Sequence, residues 1–272
     1  MLKKAYSFLK FFFKAKTKYK VHSPFVYDFI ESVFEDNRVY YIFFPIEYCR
    51  IKLYRNKDVI KVNDLGAGSK IFSKNQRSIS NIAKNSLQKK KTAQLLFRLI
   101  NKHQFNSVIE IGTSLGITTA YLSTARRDAN IYTIEGCVNT LQVAKSLGNQ
   151  LKLKNVNYIN GHFNEELPKL IQTLKTVDFA YFDGNHTKKA TLEYFNLCKK
   201  KAVKNSVFVF DDIYWSAEMQ DAWEYIKKDE DVTLSIDLFQ IGIVFFHPVK
   251  IKRHFQIRKS VIFSVKELFN IQ

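Results

Sequence analysis

A chain of 272 residues carries 43 Lys and Arg against 25 Asp and Glu, a formal net charge of +18 at pH 7. The length suits one large α/β domain with an extension, the composition is that of an ordinary globular protein, and no uncharged run of about 18 residues is available to span a bilayer. Three cysteines, Cys49, Cys137 and Cys198, are odd in number and far apart, which excludes a disulfide framework and a clustered metal motif and implies a reducing, cytoplasmic setting.

The charge is uneven along the chain. Seven lysines and no acid fall within the first 20 residues, and further clusters stand at Lys89 to Lys91, at Lys199 to Lys201, and at Lys250, Lys252 and Arg253. Such a balance permits binding to nucleic acid, anionic lipid or an anionic substrate. The clusters are dispersed and no RNA-binding signature accompanies them, so solvated faces are the plainer reading. The opening MLKKAYSFLKFFFKAK is not read as a signal peptide, because Lys10 interrupts the apolar stretch and no small-residue cleavage site follows. On a helical wheel Leu2, Tyr6, Leu9, Phe12 and Phe13 share a face opposite Lys3, Lys10 and Lys14. The helix is expected to dock on the domain, with peripheral membrane contact through residues 1–20 as the alternative.

A second helix is expected after His22-Ser23-Pro24, where Ser23 can cap and Pro24 suits the first turn. The aromatic residues 40–48 read as a loop packed on the main domain. Helical spacing covers 78–103 through Ile79, Ile82, Ala83, Leu95, Leu96, Leu99 and Ile100.

From residue 107 strands alternate with helices, the strands being 107–111, 130–134, 155–160, 177–183, 206–211, 231–236 and 240–246. Helical stretches separate the first six, as a parallel sheet with crossovers requires. Only Asp237-Leu238-Phe239 lies between the last two, too few residues for a crossover. A hairpin therefore makes the seventh strand antiparallel.

The first of these strands leads into VIEIGTSLGITTAYLS, residues 108–123. Glu110 stands at the strand's end, Gly112 and Gly116 open a loop with Thr113 and Ser114 between them, and a helix starts near Ile117. The glycines let a ligand approach the backbone without Cβ obstruction, and the helix N-terminus favours an anion. The next strand, IYTIEG, ends in Glu135 and Gly136, with Glu135 25 residues after Glu110. An acid at the tip of the second strand is placed to accept hydrogen bonds from ribose hydroxyls. Alone, Glu135 would read as an exposed loop glutamate. With the turn, it points to an adenosine-type ligand.

GTSLG with Glu110 before it and Glu135 after it resembles the cofactor-binding motifs of the class I S-adenosylmethionine-dependent methyltransferases. The resemblance covers about residues 90–247. It implies an α/β, Rossmann-like class I methyltransferase fold, a seven-stranded sheet with an antiparallel last strand, here with an N-terminal helical extension. It also implies S-adenosylmethionine as cofactor. Gly112, Thr113, Ser114 and Gly116 would contact the methionine part and Glu135 with Gly136 the ribose, while Gly161-His162-Phe163 would flank the adenine. His162 and Phe163 depart from the small or acidic residues often met there. A second turn, DLGAGS at 64–69, also resembles a methyltransferase glycine loop. No acid-ended second strand follows it at the expected distance, so it reads as a structural turn or a cover over the pocket.

The fourth strand, VDFAYFDGNH, ends at Asp183 with His186 three residues on, and the fifth, SVFVFDDIYW, ends at Asp211 and Asp212, with Asp211 28 residues after Asp183. In an open α/β sheet neighbouring strands deliver their carboxyl ends to one crevice. Like charges at ~4 Å repel by ~1 kcal/mol in water and by more when desolvated. A divalent cation such as Mg²⁺, Mn²⁺ or Ca²⁺ would remove that cost. In the plainer reading Asp183 positions the cofactor amine, Asp211 caps the next helix and His186 packs on it. The arrangement is similar to the catechol-type, metal-dependent O-methyltransferases, where an aspartate ending the fourth strand and an acid–amide pair ending the fifth hold the cation. That resemblance implies Asp183, Asp211 and Asp212 as metal ligands, with aspartate replacing the amide at 212. It implies His186, in the place of that family's lysine, as the catalytic proton acceptor beside Asp183. Trp215 and Tyr214 are acceptor-pocket candidates, although Trp215, Met219 and Trp223 at helical spacing also suit a core.

HSPFVYDF, DLGAGS, EIGTSLGITTAYLS, TIEGC, FDGNHTKKATLEYF and FDDIYWSAEMQDAWE together resemble a bacterial branch of this superfamily, from about Lys16 to Arg258. The expected activity is methyl transfer from S-adenosylmethionine to the hydroxyl of a small acceptor, assisted by a divalent cation if the three acids bind one. The expected organisation is a helical and irregular extension over 1–77, a lid or docking segment, then the methyltransferase domain over 78–250 and a basic tail over 251–272. Methylation of RNA or protein through the basic surface is one alternative, although the N-P-P-Y-type tetrad of amino methyltransferases is absent where FDGNH stands. A binding or membrane-peripheral protein that keeps the fold without catalysis is another. A nicotinamide-dependent oxidoreductase is disfavoured by G-x-x-x-G in place of G-x-G-x-x-G and by the reversed last strand.

Overall fold

The alternating pattern that begins at residue 107 folds as a twisted sheet with helices on both faces. The structure, a computed structural model, describes residues 2–62, 76–247 and 252–260, and the DLGAGS turn lies outside them. A short antiparallel pair, β1 (Val59–Lys61) and β2 (Gln76–Ser78), stands apart from the main sheet. The main sheet contains β3 (Ser107–Ile111), β4 (Asn130–Glu135), β5 (Val156–Asn160), β6 (Val177–Phe182), β7 (Ala202–Phe210), β8 (Leu234–Asp237), β9 (Gly242–Phe245) and β10 (Arg253–Gln256). Their order is β10-β8-β9-β7-β6-β3-β4-β5. Strand β9 runs antiparallel to both β7 and β8, as the short connection over 238–241 requires.

The sheet has eight strands where the sequence pattern led us to expect seven. The additional strand, β10, comes from the segment read as a basic tail and pairs in parallel with β8. The consecutive Lys252, Arg253 and His254 conceal it, because an edge strand can keep its polar residues in solvent. Lys16 bridges Ile257 beyond it.

Side chains alternate across the sheet with period two. Val108, Ile131, Tyr181 and Val209 pack on one face, and Ile109, Ile111, Ala180 and Phe210 on the other. The first face is covered by α2 (Pro24–Phe29, continuing as a wider turn over Ile30–Phe34), α3 (Phe43–Arg55), α4 (Ile79–Ser86), α5 (Lys90–His103), α6 (Ile117–Ala125) and α7 (Val138–Gln150). The second carries α8 (Phe163–Thr173), α9 (Lys188–Lys199) and α10 (Ala217–Lys228). The extension thus shares one hydrophobic core with the sheet: Phe29, Ile30 and Ile46 are fully buried in it. Ser23 caps α2 by accepting a hydrogen bond from the Val26 amide.

The aromatic stretch expected as a loop is instead largely the start of α3. Pro45 falls in its first turn, where a missing N–H costs no intrahelical bond, and Phe43, Ile46, Cys49, Arg50 and Leu53 form its buried stripe. The helical span 78–103 is broken at Leu87-Gln88-Lys89, which turns Gln88 toward the sheet.

Helix α1 (Leu2–Lys14) docks by a different face from the one the wheel suggested. Phe8 and Phe11 meet Phe239 at 4.9 and 5.4 Å, and Phe12 lies under the Arg258 guanidinium. Tyr6, Leu9 and Phe13 remain 70, 53 and 82% exposed. The helix has apolar residues on two sides, and the phenylalanine side fits the β8–β9 turn.

Candidate functional site

The turn after β3 is built from glycine because two of its positions need backbone that other residues rarely adopt. Gly112 has φ +103° and Gly116 φ +82°. A Cβ on Gly112 would stand 2.4 Å from the Asp183 carbonyl oxygen, and one on Gly116 2.9 Å from the Ala144 Cβ. The turn is pinned from below by β4: the Gly112 and Thr113 amides both donate to the Ile134 carbonyl, and the Thr113 and Thr133 hydroxyls lie 2.6 Å apart. Helix α6 then begins at Ile117, its N-terminus aimed at the crevice.

Glu135 ends β4 and accepts hydrogen bonds from the Ser114 amide at 2.9 Å and the Cys137 amide at 3.0 Å. The neighbouring strand closes on it, with the Gly161 amide and the Asn160 side chain donating to the Glu135 carbonyl at 3.1 and 2.8 Å. Asn160 also reaches the Gly136 carbonyl. His162 caps α8 by accepting from the Asn164 amide, while Phe163 turns its edge to Tyr194 and packs against Gly184. The predicted residues Gly112 to Gly116, Glu135, Gly136, Gly161 to Phe163 and Asp183 therefore border one crevice at the carboxyl ends of β3 to β6.

Glu110, expected as a cofactor contact, is not on that border. It is fully buried beneath the turn, where its carboxyl accepts from the Thr119 and Thr133 hydroxyls. Burial pushes its pKa up to about 8. Its position within β3 faces α6, so it braces turn, strand and helix from inside.

The ends of β6 and β7 bring the acids together. Tyr181, buried in β6, donates its hydroxyl to Asp183 at 3.2 Å, and the His186 Nε2 stands 3.7 Å from the same carboxyl. Gln88, delivered by the break before α5, donates to Asp211 at 2.7 Å and to the Tyr181 oxygen at 2.6 Å. The Asp183 and Asp211 carboxyls stand side by side, each shifting the other's ionisation. Burial, then the neighbouring Asp211 and Asp212, raises Asp183 well above the usual carboxylate range; burial and Asp212 push Asp211 up to about 6. Asp212 turns out of the strand with φ +51°. Lys89 lies in the field of Asp211 and Asp212, with burial and Lys4 lowering its pKa against their pull.

Sequence reasoning missed Gln88, Tyr181 and Lys89. Tyr181 alternates with Phe182 in a strand whose residues all read as core, and Gln88 lies in what looked like continuous helix. Only its neighbours in space make it a site residue.

The three acids expected to hold a divalent cation are not arranged for one. Among the described residues no group of three or more His, Cys, Asp and Glu side chains stands in ligand geometry. A hard cation requires several converging oxygens free to face it. Here the Gln88 amide donates to Asp211 and the Tyr181 hydroxyl to Asp183, so one oxygen of each carboxyl is already taken.

Tyr214 lines, with Trp215, a cavity between α1 and α10. Its hydroxyl donates to buried Asp237 at 2.8 Å and its ring stacks on Phe239, anchoring the β8–β9 turn. Met219 and Trp223 are core, while Trp215 is 58% exposed beside the acids with the Lys4 ammonium 5.0 Å above its ring.

Residues 109–213 match the family described as a methyltransferase domain. No curated protein matches the sequence. Among solved structures, the O-methyltransferase TomG of Streptomyces achromogenes, involved in tomaymycin synthesis and crystallised with SAM, aligns at 21% identity and a TM-score of 0.54, covering 60% of this chain and 83% of its own. An O-methyltransferase of Bacillus cereus in complex with SAH aligns at 17% identity and a TM-score of 0.53, covering 59% and 83%. Cofactor-bound Rv0187 of MTB aligns at 14% identity and a TM-score of 0.58, covering 85% of this chain and all of its own. These structures share the Rossmann-like methyltransferase fold.

Proposed function

We propose that this chain, with a methyltransferase domain at its centre, moves the methyl group of S-adenosylmethionine to a hydroxyl oxygen of a small acceptor. The contact between Gly112 and the Asp183 backbone carries this reading: it puts a glycine turn suited to the donor directly against the acids and His186. The sulfonium supplies an already activated methyl, so the protein's task is to align donor and acceptor and exclude water. The turn offers backbone without side-chain obstruction, the N-terminus of α6 favours the donor carboxylate, and Glu135 is an acid at the tip of the second parallel strand, the place that suits ribose hydroxyls.

The acceptor must lose a proton as its oxygen–methyl bond forms and the sulfur–methyl bond breaks. His186 is the group within reach to take it. The net negative charge of the Asp183–Asp211 pair stabilises the imidazolium that results. No step is assigned to a metal ion. Calorimetric titration of S-adenosylmethionine into the protein tests the donor half: micromolar binding lost in Glu135→Ala supports it, and absence of binding removes it. His186→Ala tests the acceptor half; an unchanged turnover across pH 6–9 would exclude His186 as the base.

A further inference from the structure

Helix α1 presents a combination that its docking does not explain. Its inner side is satisfied by Phe239 and Tyr214. Its outer side carries Tyr6, Leu9 and Phe13, spaced three and four apart so that they form one row, each more than half exposed. Exposed Lys10 and Lys14 flank that row on one side, and exposed Lys16 follows the helix. The helix contains no acid at all, and neither Lys10 nor Lys14 has an ion-pair partner among the described residues.

We propose that this outer face of α1 docks on an anionic lipid bilayer. Aromatic and leucine side chains framed by lysines suit the boundary between acyl chains and headgroups, and the cations add attraction to an anionic leaflet. A protein partner or a nucleic acid accounts less well for the same face: exposed phenylalanine and leucine gain little against phosphates, whereas a bilayer takes both features together. Among the described residues no helix is long and apolar enough to cross a membrane, so the contact is peripheral. The start of α1 also lies at the crevice, through Lys4 over Trp215 and Lys4 beside Lys89. A bilayer held by α1 would therefore lie near the rim of the acid cluster. The binding itself does not depend on the methyl-transfer reading.

Flotation of the full chain with vesicles tests this. Wild-type protein is expected to float with phosphatidylglycerol-containing vesicles and not with pure phosphatidylcholine. Tyr6→Ser, Leu9→Ser and Phe13→Ser combined should abolish flotation with melting temperature and S-adenosylmethionine affinity retained, because all three side chains point to solvent. Lys10→Glu with Lys14→Glu should weaken it by about tenfold or more. The proposal is overturned if wild-type protein does not float, or if the triple variant floats equally well. A wild-type dimer in sedimentation that the triple variant dissolves would assign the face to a second copy of the chain, and retention on RNA without flotation would assign it to nucleic acid; either result overturns it too.

Discussion

At the carboxyl ends of β3, β4 and β5 the crevice is made of backbone; at those of β6 and β7 it is made of charge. On the first side the polar groups are satisfied between two adjacent strand ends: Glu135 takes the Ser114 and Cys137 amides, and Ile134 takes those of Gly112 and Thr113. On the second side Asp183 and Asp211 are paired with each other, and their balance comes from Gln88 far away in the sequence, from Tyr181 in the strand beside them and from His186. A backbone site tolerates little change of shape, whereas a charge site tolerates shape but little change of proton or partner.

Gly112→Ala should have the largest effect, because it adds a Cβ 2.4 Å from the Asp183 carbonyl at a φ of +103°. Strain of about 1–3 kcal/mol, with the steric shift added, should lower the melting temperature and weaken S-adenosylmethionine binding at least tenfold by calorimetry. Normal binding would break the comparison. Asp183→Asn should act on the other side alone. With general acid–base catalysis worth about 10²–10⁴-fold, turnover should fall by about a hundredfold or more while donor affinity changes little. Equal losses in both would mean the halves are not separable.

Gln88→Ala removes a donor from a buried carboxylate, costing about 1–3 kcal/mol. Thermal denaturation should record that loss, with turnover falling more than donor affinity. Glu110→Gln should leave turnover least affected and appear in the pH dependence of stability. The folded-state pKa of Glu110 is raised to about 8, so its protonated form is the one folding favours. Its contribution is complete below the unfolded value of about 4.5 and is lost as pH rises toward 8. Glutamine keeps the shape without the charge, so denaturation midpoints across pH 5–8 should flatten in the variant. An unchanged slope would place the ionisation elsewhere.

Much of this fold is written locally. The apolar strand segments that alternate with helices from residue 107, the three residues between the sixth and seventh expected strands, Ser23-Pro24 ahead of α2, and two glycines before α6 each reflect a constraint carried by a few adjacent residues. The turn, Glu135, Asp183 and the doubled acid were legible for the same reason: strand ends in an open sheet have a common destination. What the tertiary structure decided are the features that depend on a partner distant in sequence. The sequence could not say that α1 would dock by Phe8 and Phe11, since Tyr6, Leu9 and Phe13 are as apolar and only the shape of the β8–β9 turn chooses between them. Nor could it say that Arg253–Gln256 would find an open edge at β8, or that a break in an apparently continuous helix would bring Gln88 to Asp211. Three acids in sequence suggest a cation, because their charges are all that a sequence displays. Folding adds the neutral donors Gln88 and Tyr181 that reduce the same repulsion, and these are visible only once the strands and the Leu87–Lys89 break are in place.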